Sequence, residues 1–328
     1  MDAELVGYLR RLARQVETIV VDGSDPETFA AHQVLLAEAM ADGLRHLPPA
    51  PELATEMGKV GGVLTGVRCA SNEKIVVADE DVRYDEVSLA AVAAALDTAD
   101  VVRPQNYFEP LPWHACWDTG RTLLNRVTGG DWPGTLGVRR AALSAIGGYD
   151  GRAMFENLEL VRTIVAAGGR EATLPGVFVA RRPSSVRHFW SQRVRQAYDE
   201  IARPGRLAVQ LALLPLAVTL VMTGPWWAPA AGAALAIGLA ETGRRRGGGV
   251  RVFPARTSLF APVWLAERAV ASWLALGARA ILGGVPYRGR VLRHAATPMR
   301  VLRARHAALR ASGALANSHR DRHETGSS

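Results

Sequence analysis

Apolar runs alternate with turn residues and amphipathic stretches over the first 200 residues of the chain. Apolar positions at helical spacing predict a helix over residues 3–16. Two short apolar runs, residues 18–21 and 75–78, each lead into an aspartate, which predicts two buried strands. Because strands and helices alternate, we expect an α/β domain built on a mostly parallel sheet.

The same patterns predict the remaining elements of this domain. Further helices are predicted over residues 58–71, 86–97, 139–146, 156–167 and 184–201, and further strands over 101–102, 134–138 and 173–180. Residues 104–134 are rich in Pro, Trp and Gly. We expect this stretch to be an irregular insertion over a cleft.

Beyond residue 204 the pattern changes to long apolar runs. Residues 207–222 and 226–239 are predicted to form a hairpin of two membrane spans. A third run, 259–282, is long enough to cross, but it carries the charged residues Glu267, Arg268 and Arg279. It is predicted either to cross with its charges paired or to lie in the interface. Buried helices of a soluble domain are the alternative interpretation.

These patterns divide the chain into three predicted parts. They are an α/β domain over residues 1–203, membrane helices over 204–284 and a basic, partly disordered tail over 285–328. The chain carries 39 Lys and Arg against 31 Asp and Glu, and much of the excess follows residue 244. Basic residues beside apolar segments indicate the cytoplasmic face of a membrane. No platform of aromatic and basic residues accompanies them, which argues against nucleic-acid binding.

The cysteines and one pair of aspartates are candidates for metal binding. Cys69 and Cys116 show no metal-ligand spacing and indicate structural thiols in a reducing cytosol. Asp79 and Asp81 follow the strand predicted over 75–78, and alternate residues of an extended segment point the same way. Paired carboxylates suit a hard cation such as Mg²⁺ or Mn²⁺. A solvated loop after the strand is the alternative.

In order and spacing, the motifs resemble those of the family-2 glycosyltransferases. They are Ile19-Val20-Val21-Asp22-Gly23-Ser24, Gly58-Lys59, Asp79-Glu80-Asp81, Gly147-Gly148-Tyr149-Asp150 and Glu156-Asn157-Leu158-Glu159-Leu160. The chain most resembles membrane-anchored bacterial members and, more distantly, the ceramide glucosyltransferase-like group. The resemblance covers residues 5–200, with a looser similarity at 286–290.

The resemblance implies a GT-A fold, which is a Rossmann-like nucleotide-sugar-binding domain. It also implies a bound divalent metal ion, Mn²⁺ or Mg²⁺, and transfer of a sugar from a nucleotide-diphosphate donor with inversion at the sugar. The expected acceptor is a lipid or a cell-envelope polysaccharide. Together with the apolar runs, it predicts an enzyme in the cytoplasmic membrane whose catalytic domain faces the cytoplasm.

The resemblance also implies roles for four residues at the donor. Asp22 is expected to bind the nucleotide base or ribose, although an aspartate that starts a turn is the alternative. Lys59 is expected to meet the donor phosphates, or else to be a solvated lysine. Asp81 is expected to ligate the metal directly, with Asp79 nearer the ribose or a metal-bound water.

The catalytic base is the first departure from the family pattern, which places Glu-Asp where this chain has Glu156 and Asn157. Asparagine cannot act as a general base. We therefore expect Glu156 to take the role, with Asp150 as the second candidate. A helix N-terminal acid stabilised by the helix dipole is the structural alternative for Glu156.

The acceptor side shows a second departure. The family often carries Gln-x-x-Arg-Trp, and this chain keeps Gln192 and Arg195 but has Gln196 in place of Trp. Arg195 is expected to clamp the diphosphate, and Gln192 to bind phosphate or acceptor; a solvated basic helix face is the alternative. Trp132 is expected to stack on the acceptor sugar, with a core tryptophan as the alternative.

Family members usually begin with a strand that this chain lacks, so we expect the first strand of the fold to be missing from the sequence. The missing strand, Asn157 and the lost tryptophan together favour a rival hypothesis. In that hypothesis the chain is a non-catalytic, membrane-anchored binding or scaffold protein with a glycosyltransferase fold. A soluble nucleotidyltransferase is a third option, against which the apolar C-terminal third argues.

Overall fold

A computed structural model describes residues 1–287 and 290–311 of the chain. Its helices are α1 (Ala3–Ala13), α2 (Pro26–Leu35), α3 (Ala37–Ala41), α4 (Gly58–Cys69), α5 (Glu86–Ala95), α6 (Trp113–Arg126), α7 (Arg140–Ala145), α8 (Glu156–Ala166), α9 (Val186–Ser191), α10 (Arg193–Tyr198), α11 (Pro204–Thr223), α12 (Ala228–Arg245), α13 (Ala261–Leu282) and α14 (Met299–Ala311). Its strands are β1 (Ile19–Val21), β2 (Arg45–Leu47), β3 (Lys74–Ala78), β4 (Val82–Arg83), β5 (Val101–Phe108), β6 (Thr135–Arg139), β7 (Glu171–Arg181), β8 (Val285–Tyr287) and β9 (Arg290–Leu292).

The fold is mixed α/β around a central five-stranded sheet of order β3-β6-β5-β7-β4. Only β5 and β7 are parallel in this sheet, and β6 runs antiparallel to both β3 and β5. The α/β class is therefore confirmed, but the prediction of a mostly parallel sheet is wrong. Alternating strands and helices do not fix strand direction. The strand that follows a helix can pair with its neighbouring strand in the antiparallel as well as in the parallel direction. A separate parallel pair is formed by β1 and β2.

The stretch predicted to be irregular, residues 104–134, contains most of β5 and the whole of α6. The prediction failed because many of the buried side chains of α6 are polar. The sequence of α6 therefore lacks the helical spacing of apolar residues that predicts a buried helix. Asp118 of α6 forms a paired contact with Arg193 at 2.8 and 3.2 Å. Arg126 donates to the carbonyl oxygens of Pro175 and Gly243 at 2.9 and 3.0 Å. Buried charges persist when they are paired in this way.

The C-terminal apolar helices differ in how they meet the rest of the protein. Within the described residues, two helices are long and apolar enough to cross a membrane: Pro204–Thr223 and Ala255–Leu282. The predicted span at 226–239 falls mostly in α12, which is not one of these two helices, and it stays a prediction. Only 6% of the first apolar stretch is buried against 39% of the second, which packs against α6 and α10. Glu267 of α13 lies 3.7 Å from Arg193, so its charge faces the α/β domain.

The remaining predictions concern the domain boundaries and the two ends of the chain. The boundaries at 203 and 284, and the missing first strand, stay predictions. Two parts of the basic tail lie outside the described residues: residues 312–328, and residues 288–289 within the similarity at 286–290. The described part of the tail includes the helix α14, which packs against α8.

Candidate active site

A cavity of about 1990 Å³ opens where β3 ends. Its polar part is lined by residues from five elements or the loops beside them. They are Asp22 after β1, Lys59 of α4, Asp79 and Asp81 after β3, Glu156 of α8 and Arg181 of β7. The fold thus brings together residues that lie up to 159 positions apart, from Asp22 to Arg181 (181 − 22).

Lys59 joins two of the predicted site carboxylates. Its Nζ lies 2.5 Å from Asp79 Oδ1 and 2.6 Å from Glu156 Oε1. Burial alone would lower the pKa of Lys59, but the carboxylates of Glu156 and Asp79 outweigh it and raise the pKa above its usual value. Lys59 is therefore permanently charged. A bound phosphate group could contact it together with the two carboxylates or in place of one of them.

Arg181 holds the aspartate pair from the opposite side. Its Nη2 lies 3.3 Å from Asp79 Oδ2, and its Nε donates to Asp81 Oδ2 at 2.8 Å. Among the described residues, Asp81 Oδ1 is buried without a hydrogen-bond partner. Burial raises the pKa of Asp81, with Arg181 opposing the shift. The orphaned oxygen is a polar atom still in need of a cation or donor.

The predicted metal site can be tested against this donor set. In residues 1–287 and 290–311, no group of three or more His, Cys, Asp or Glu side chains is placed to hold a metal ion. Mg²⁺, however, is commonly held by one or two carboxylates together with substrate phosphates. The unpaired Oδ1 of Asp81 and the neighbouring Asp79 fit that arrangement. The residues therefore suit a divalent ion that arrives with a diphosphate.

Asp22 ends β1 in a dense set of hydrogen bonds. Ser24 donates through its backbone N and its Oγ at 3.0 and 2.6 Å. His32 and His46 approach the other carboxylate oxygen at 2.6 and 3.2 Å. Burial would raise the pKa of Asp22, but the bonds from Ser24 and His32 hold it well below its usual range. Asp22 is thus an ionised acceptor at the cavity edge, whatever its ligand.

The two predicted base candidates lie in different surroundings. Glu156 begins α8 inside the cavity, bonded to Lys59. Asp150 accepts from Arg152 at 2.7 Å and is not among the described residues that line the cavity. Asn157, which replaces the expected aspartate, donates its Nδ2 to the carbonyl oxygen of Pro133 at 2.9 Å. Asn157 therefore anchors the loop before β6 and carries no proton-accepting group.

Trp132 lines the cavity in a loop fixed from behind. Asp131 accepts from Arg121, Thr122 and Asn125 at 2.6, 2.7 and 2.8 Å. Trp132 itself packs edge-on against Phe155 at 5.3 Å and lies under the guanidinium of Arg103 at 4.2 Å. The side chain is half-buried, so part of the ring packs in the core and part of it lines the cavity.

Gln192 and Arg195 both line the cavity, as does Gln196 at the position of the missing tryptophan. Arg195 donates to Gln192 Oε1 at 2.9 Å. Within the described chain, Gln196 Oε1 is buried without a hydrogen-bond partner. These groups form a polar wall that can receive hydroxyl or phosphate groups.

Two cavity residues were missed by sequence reasoning. Arg181 is the last residue of β7 and lies one residue beyond the predicted strand 173–180. An arginine at the end of a strand belongs to no recognisable sequence motif. Asp199 lies just after α10, and its Oδ1 is buried without a hydrogen-bond partner in the described part of the chain. Burial raises the pKa of Asp199 to about 7, against the lowering influence of Arg195. Both depend on contacts across the fold.

No family model and no curated protein matches the chain. Among solved structures, the chain is similar to the mannosyltransferase PcManGT from Pyrobaculum calidifontis, in complex with GDP-Man and Mn²⁺, at 21% identity over 83% of this chain and 84% of that chain, with a TM-score of 0.48. It is also similar to glucosyl-3-phosphoglycerate synthase from Mycobacterium tuberculosis, in complex with Mg²⁺ and uridine-diphosphate, at 13% identity over 56% and 77% of the chains, with a TM-score of 0.31. Because both TM-scores lie below 0.5, the function proposed below rests on the site itself.

The close approach of Gly134 to the acidic pair leads to one prediction. A Cβ at Gly134 would lie 2.7 Å from Asp79 Oδ2 and 3.0 Å from Arg181 Cζ. We expect Gly134→Ala to displace the side chains of Asp79 and Arg181 and to lower the expected sugar-transfer activity by about 10-fold to 100-fold. Gly205→Ala is the control, because a Cβ at Gly205 meets nothing within 4 Å. Equal activity of the two variants would show that the Asp79–Arg181 geometry does not matter.

Asp199 leads to a prediction about stability and pH. The folded-state pKa of its carboxyl is raised from 3.8 to about 7, so folding favours the protonated form. The unfolding free energy should be highest below about pH 4, fall as pH rises towards 7 and then level off. Asp199→Asn should remove this slope and be the more stable protein at pH 8, by about 2 kcal/mol. Urea midpoints across this pH range measure it, and an unchanged slope in the variant would contradict it.

Proposed function

We propose that this chain is a membrane-associated glycosyltransferase that uses a nucleoside-diphosphate sugar as donor. One observation carries the proposal: Lys59, Arg181, Asp79 and Asp81 meet around one point at the end of β3, within a cavity that Glu156 also lines. Cations beside paired carboxylates suit a diphosphate and its accompanying divalent ion. The resemblance to family-2 glycosyltransferases implies the same chemistry.

The proposed reaction is a single displacement. The acceptor hydroxyl oxygen bonds to the anomeric carbon, the bond from that carbon to the diphosphate oxygen breaks, and the hydroxyl proton passes to Glu156. Lys59 leaves its contact with Glu156 for the diphosphate, which frees the carboxylate as proton acceptor. Arg181 keeps Asp79 and Asp81 in position. A divalent ion held by these aspartates would neutralise charge on the departing diphosphate.

The donor and the acceptor are both proposed to bind in this cavity. Asp22 is proposed to bind the base or ribose, and Arg195 with Gln192 the diphosphate. Trp132 lines the cavity with a half-buried side chain and is proposed to contact the acceptor sugar. The acceptor class is proposed to be a lipid or an envelope polysaccharide, because apolar helices follow the α/β domain directly.

The test of the function is turnover of a panel of nucleoside-diphosphate sugars by full-length protein in membranes with Mn²⁺. We expect release of nucleoside diphosphate from one donor of the panel. The rival proposal is a non-catalytic binding protein, favoured by Asn157, whose side chain serves the loop at Pro133. Donor binding without turnover would support the rival.

The membrane proposal leads to a prediction of its own. Leu216 lies near the middle of α11 and is 55% exposed. Leu216→Arg should disfavour membrane insertion by about 2.5–3.5 kcal/mol, because an arginine would then lie at bilayer depth. Leu35→Arg is the matched control on α2, where Leu35 is 48% exposed. Carbonate extraction of membranes measures the difference; equal extraction of both variants would contradict membrane insertion of α11.

A further inference from the structure

A second cavity, of about 420 Å³, lies where the C-terminal ends of α6 and α12 meet the strands β5 and β7. Its charged lining residues are Arg103, Arg126, Glu171 and Arg246. None of the described residues that line it also lines the larger cavity of the candidate active site. The second cavity is therefore a separate site, which the proposed sugar transfer does not use.

Two of the four charges in this cavity neutralise each other. Arg103 Nε donates to Glu171 Oε1 at 2.5 Å, and Arg103 Nη2 donates to Thr173 Oγ1 at 3.1 Å. The carboxylate of Glu171 is thus held by a charge-assisted hydrogen bond on the wall of the cavity. The charges that remain are those of Arg126 and Arg246, and both are positive.

Arg126 and Arg246 are held together by backbone carbonyl groups. Arg126 donates to the carbonyl oxygen of Arg246, and Arg246 donates to the carbonyl oxygens of Arg126, at 3.1 Å, and of Val127. Arg126 is only 2% exposed, and Arg246 is exposed. In the described part of the chain, neither arginine forms an ion pair with a carboxylate. A buried guanidinium therefore lies beside a second cation without an acidic partner for either.

The ends of the two helices compensate only part of this charge. The carbonyl groups that these arginines contact lie at or just beyond the C-termini of α6 and α12, and a helix C-terminus is equivalent to about half a negative charge. Two helix ends thus supply about one negative charge against two positive charges. Burial lowers the pKa of Arg126 to about 10, and the neighbouring charge of Arg246 acts in the same direction. An anion in the cavity would balance the remaining charge.

The cavity also offers donors that such an anion can use. Among the described residues, Nε and Nη2 of Arg246 have no hydrogen-bond acceptor. These two nitrogens form the planar edge of a guanidinium that matches the oxygens of a phosphate. The rim beside them carries no bulky side chain, because it is formed by Gly129 and Gly130, whose φ angles are +142° and +93°. The donors are therefore accessible from solvent.

We propose that this cavity binds a phosphate group between Arg126 and Arg246, carried by a lipid head group or by a soluble phosphate compound. The phosphate oxygens accept from Nε and Nη2 of Arg246, and Arg126 supplies buried positive charge behind them. Phosphate suits the site better than a carboxylate, because one guanidinium already occupies both oxygens of a carboxylate. The lipid source is considered because the apolar helix α12 ends at this cavity.

The test is calorimetric titration of inorganic phosphate into the full chain, in an uncharged detergent and at constant ionic strength. Constant ionic strength is needed because salt alone screens the repulsion between the two arginines. We expect saturable binding that Arg246→Gln weakens by at least about 10-fold. Arg245→Gln is the matched control, because Arg245 contacts Glu241 at 2.7 Å and is not among the described lining residues.

Three results would overturn the proposal: no saturable binding, equal affinity in Arg246→Gln and Arg245→Gln, or equal affinity of the unmodified chain for acetate. Phosphate held only by the candidate active site gives equal affinity in the two variants. Arg246→Lys keeps the charge but not the planar fork, so its affinity should lie between those of Arg246→Gln and the unmodified chain.

Hydrogen exchange gives a check that does not depend on the folding of a variant. In the unmodified chain, phosphate should slow amide exchange at residues 127–130 and 246–249 by at least about 5-fold, because the anion ties these two segments together. Sodium chloride at the same ionic strength should not. Absence of protection by phosphate, or equal protection by chloride, would contradict the proposed site.

Two further ligands identify the source of the phosphate. Dihexanoyl phosphatidic acid and glycerol 3-phosphate carry the same phosphate monoester, with and without acyl chains. Binding of the lipid at least about 10-fold more tightly would support the site as one for a lipid head group, and equal affinity would support it as one for a soluble compound. Binding of neither would overturn the proposal. None of these results depends on whether the protein transfers sugar.

Discussion

Asp81→Asn is expected to lower sugar transfer by about 10²-fold to 10³-fold. The substitution keeps the shape of the side chain but removes its charge and one carboxylate oxygen. Oδ2 of Asp81 accepts from Arg181 at 2.8 Å, and Oδ1 is buried and unpaired among the described residues. A diphosphate with its divalent ion would lose the ligand that this oxygen supplies. Initial rates at saturating donor, with Mn²⁺ varied, measure the effect.

Glu80→Gln is the matched control, because it makes the same change of charge one residue away on an exposed side chain. Its activity should stay within about 2-fold of the unmodified protein. Thermal unfolding of Asp81→Asn should show that the fold survives, since Arg181 keeps Asp79 as a partner. Mn²⁺-dependent turnover that survives Asp81→Asn unchanged would show that the catalytic assignment is wrong.

Glu156→Gln is expected to lower kcat by about 10²-fold to 10⁴-fold, the usual contribution of a general base. The substitution leaves an oxygen for Lys59 but no group that can take the acceptor proton. Donor KM should change much less than kcat, because Lys59 and Asp79 keep their contact. Steady-state rates with the donor and acceptor varied separately give both constants.

Two variants make this prediction specific. Glu27→Gln changes an exposed glutamate in the first turn of α2, one position further into its helix than Glu156 in α8, and should leave kcat unchanged. Asp199→Asn should cost less than about 10-fold in kcat while removing the pH slope of stability. A loss of activity confined to Asp199→Asn would move the role of proton acceptor from Glu156 to Asp199.

The local part of the site could be predicted from the sequence. A short apolar strand that ends in Asp79 and Asp81, and a helix that begins at Glu156, are set by residues next to one another in the chain. Gly58 and Lys59 likewise mark the start of α4. Such signals need no knowledge of the tertiary fold. The chemical roles of these residues stay predictions until they are measured.

The remainder could not be predicted because it depends on distant partners. Arg181 lies 100 residues beyond Asp81 (181 − 81) and carries no motif. Asp199 owes its raised pKa to burial between elements. α6 was hidden because pairs such as Asp118–Arg193 replace the apolar stripe of an ordinary buried helix. The antiparallel entry of β6 between β3 and β5 is likewise a property of chain direction, which residue patterns leave open.

Calorimetric titration of the purified chain with nucleoside-diphosphate sugars and Mn²⁺ tests the donor site itself, without requiring an acceptor. Our proposal predicts that one donor of the panel binds, and that Asp81→Asn weakens its binding by at least about 10-fold while Glu80→Gln does not. Folded protein that binds none of the donors, or that binds one equally well in both variants, would contradict it.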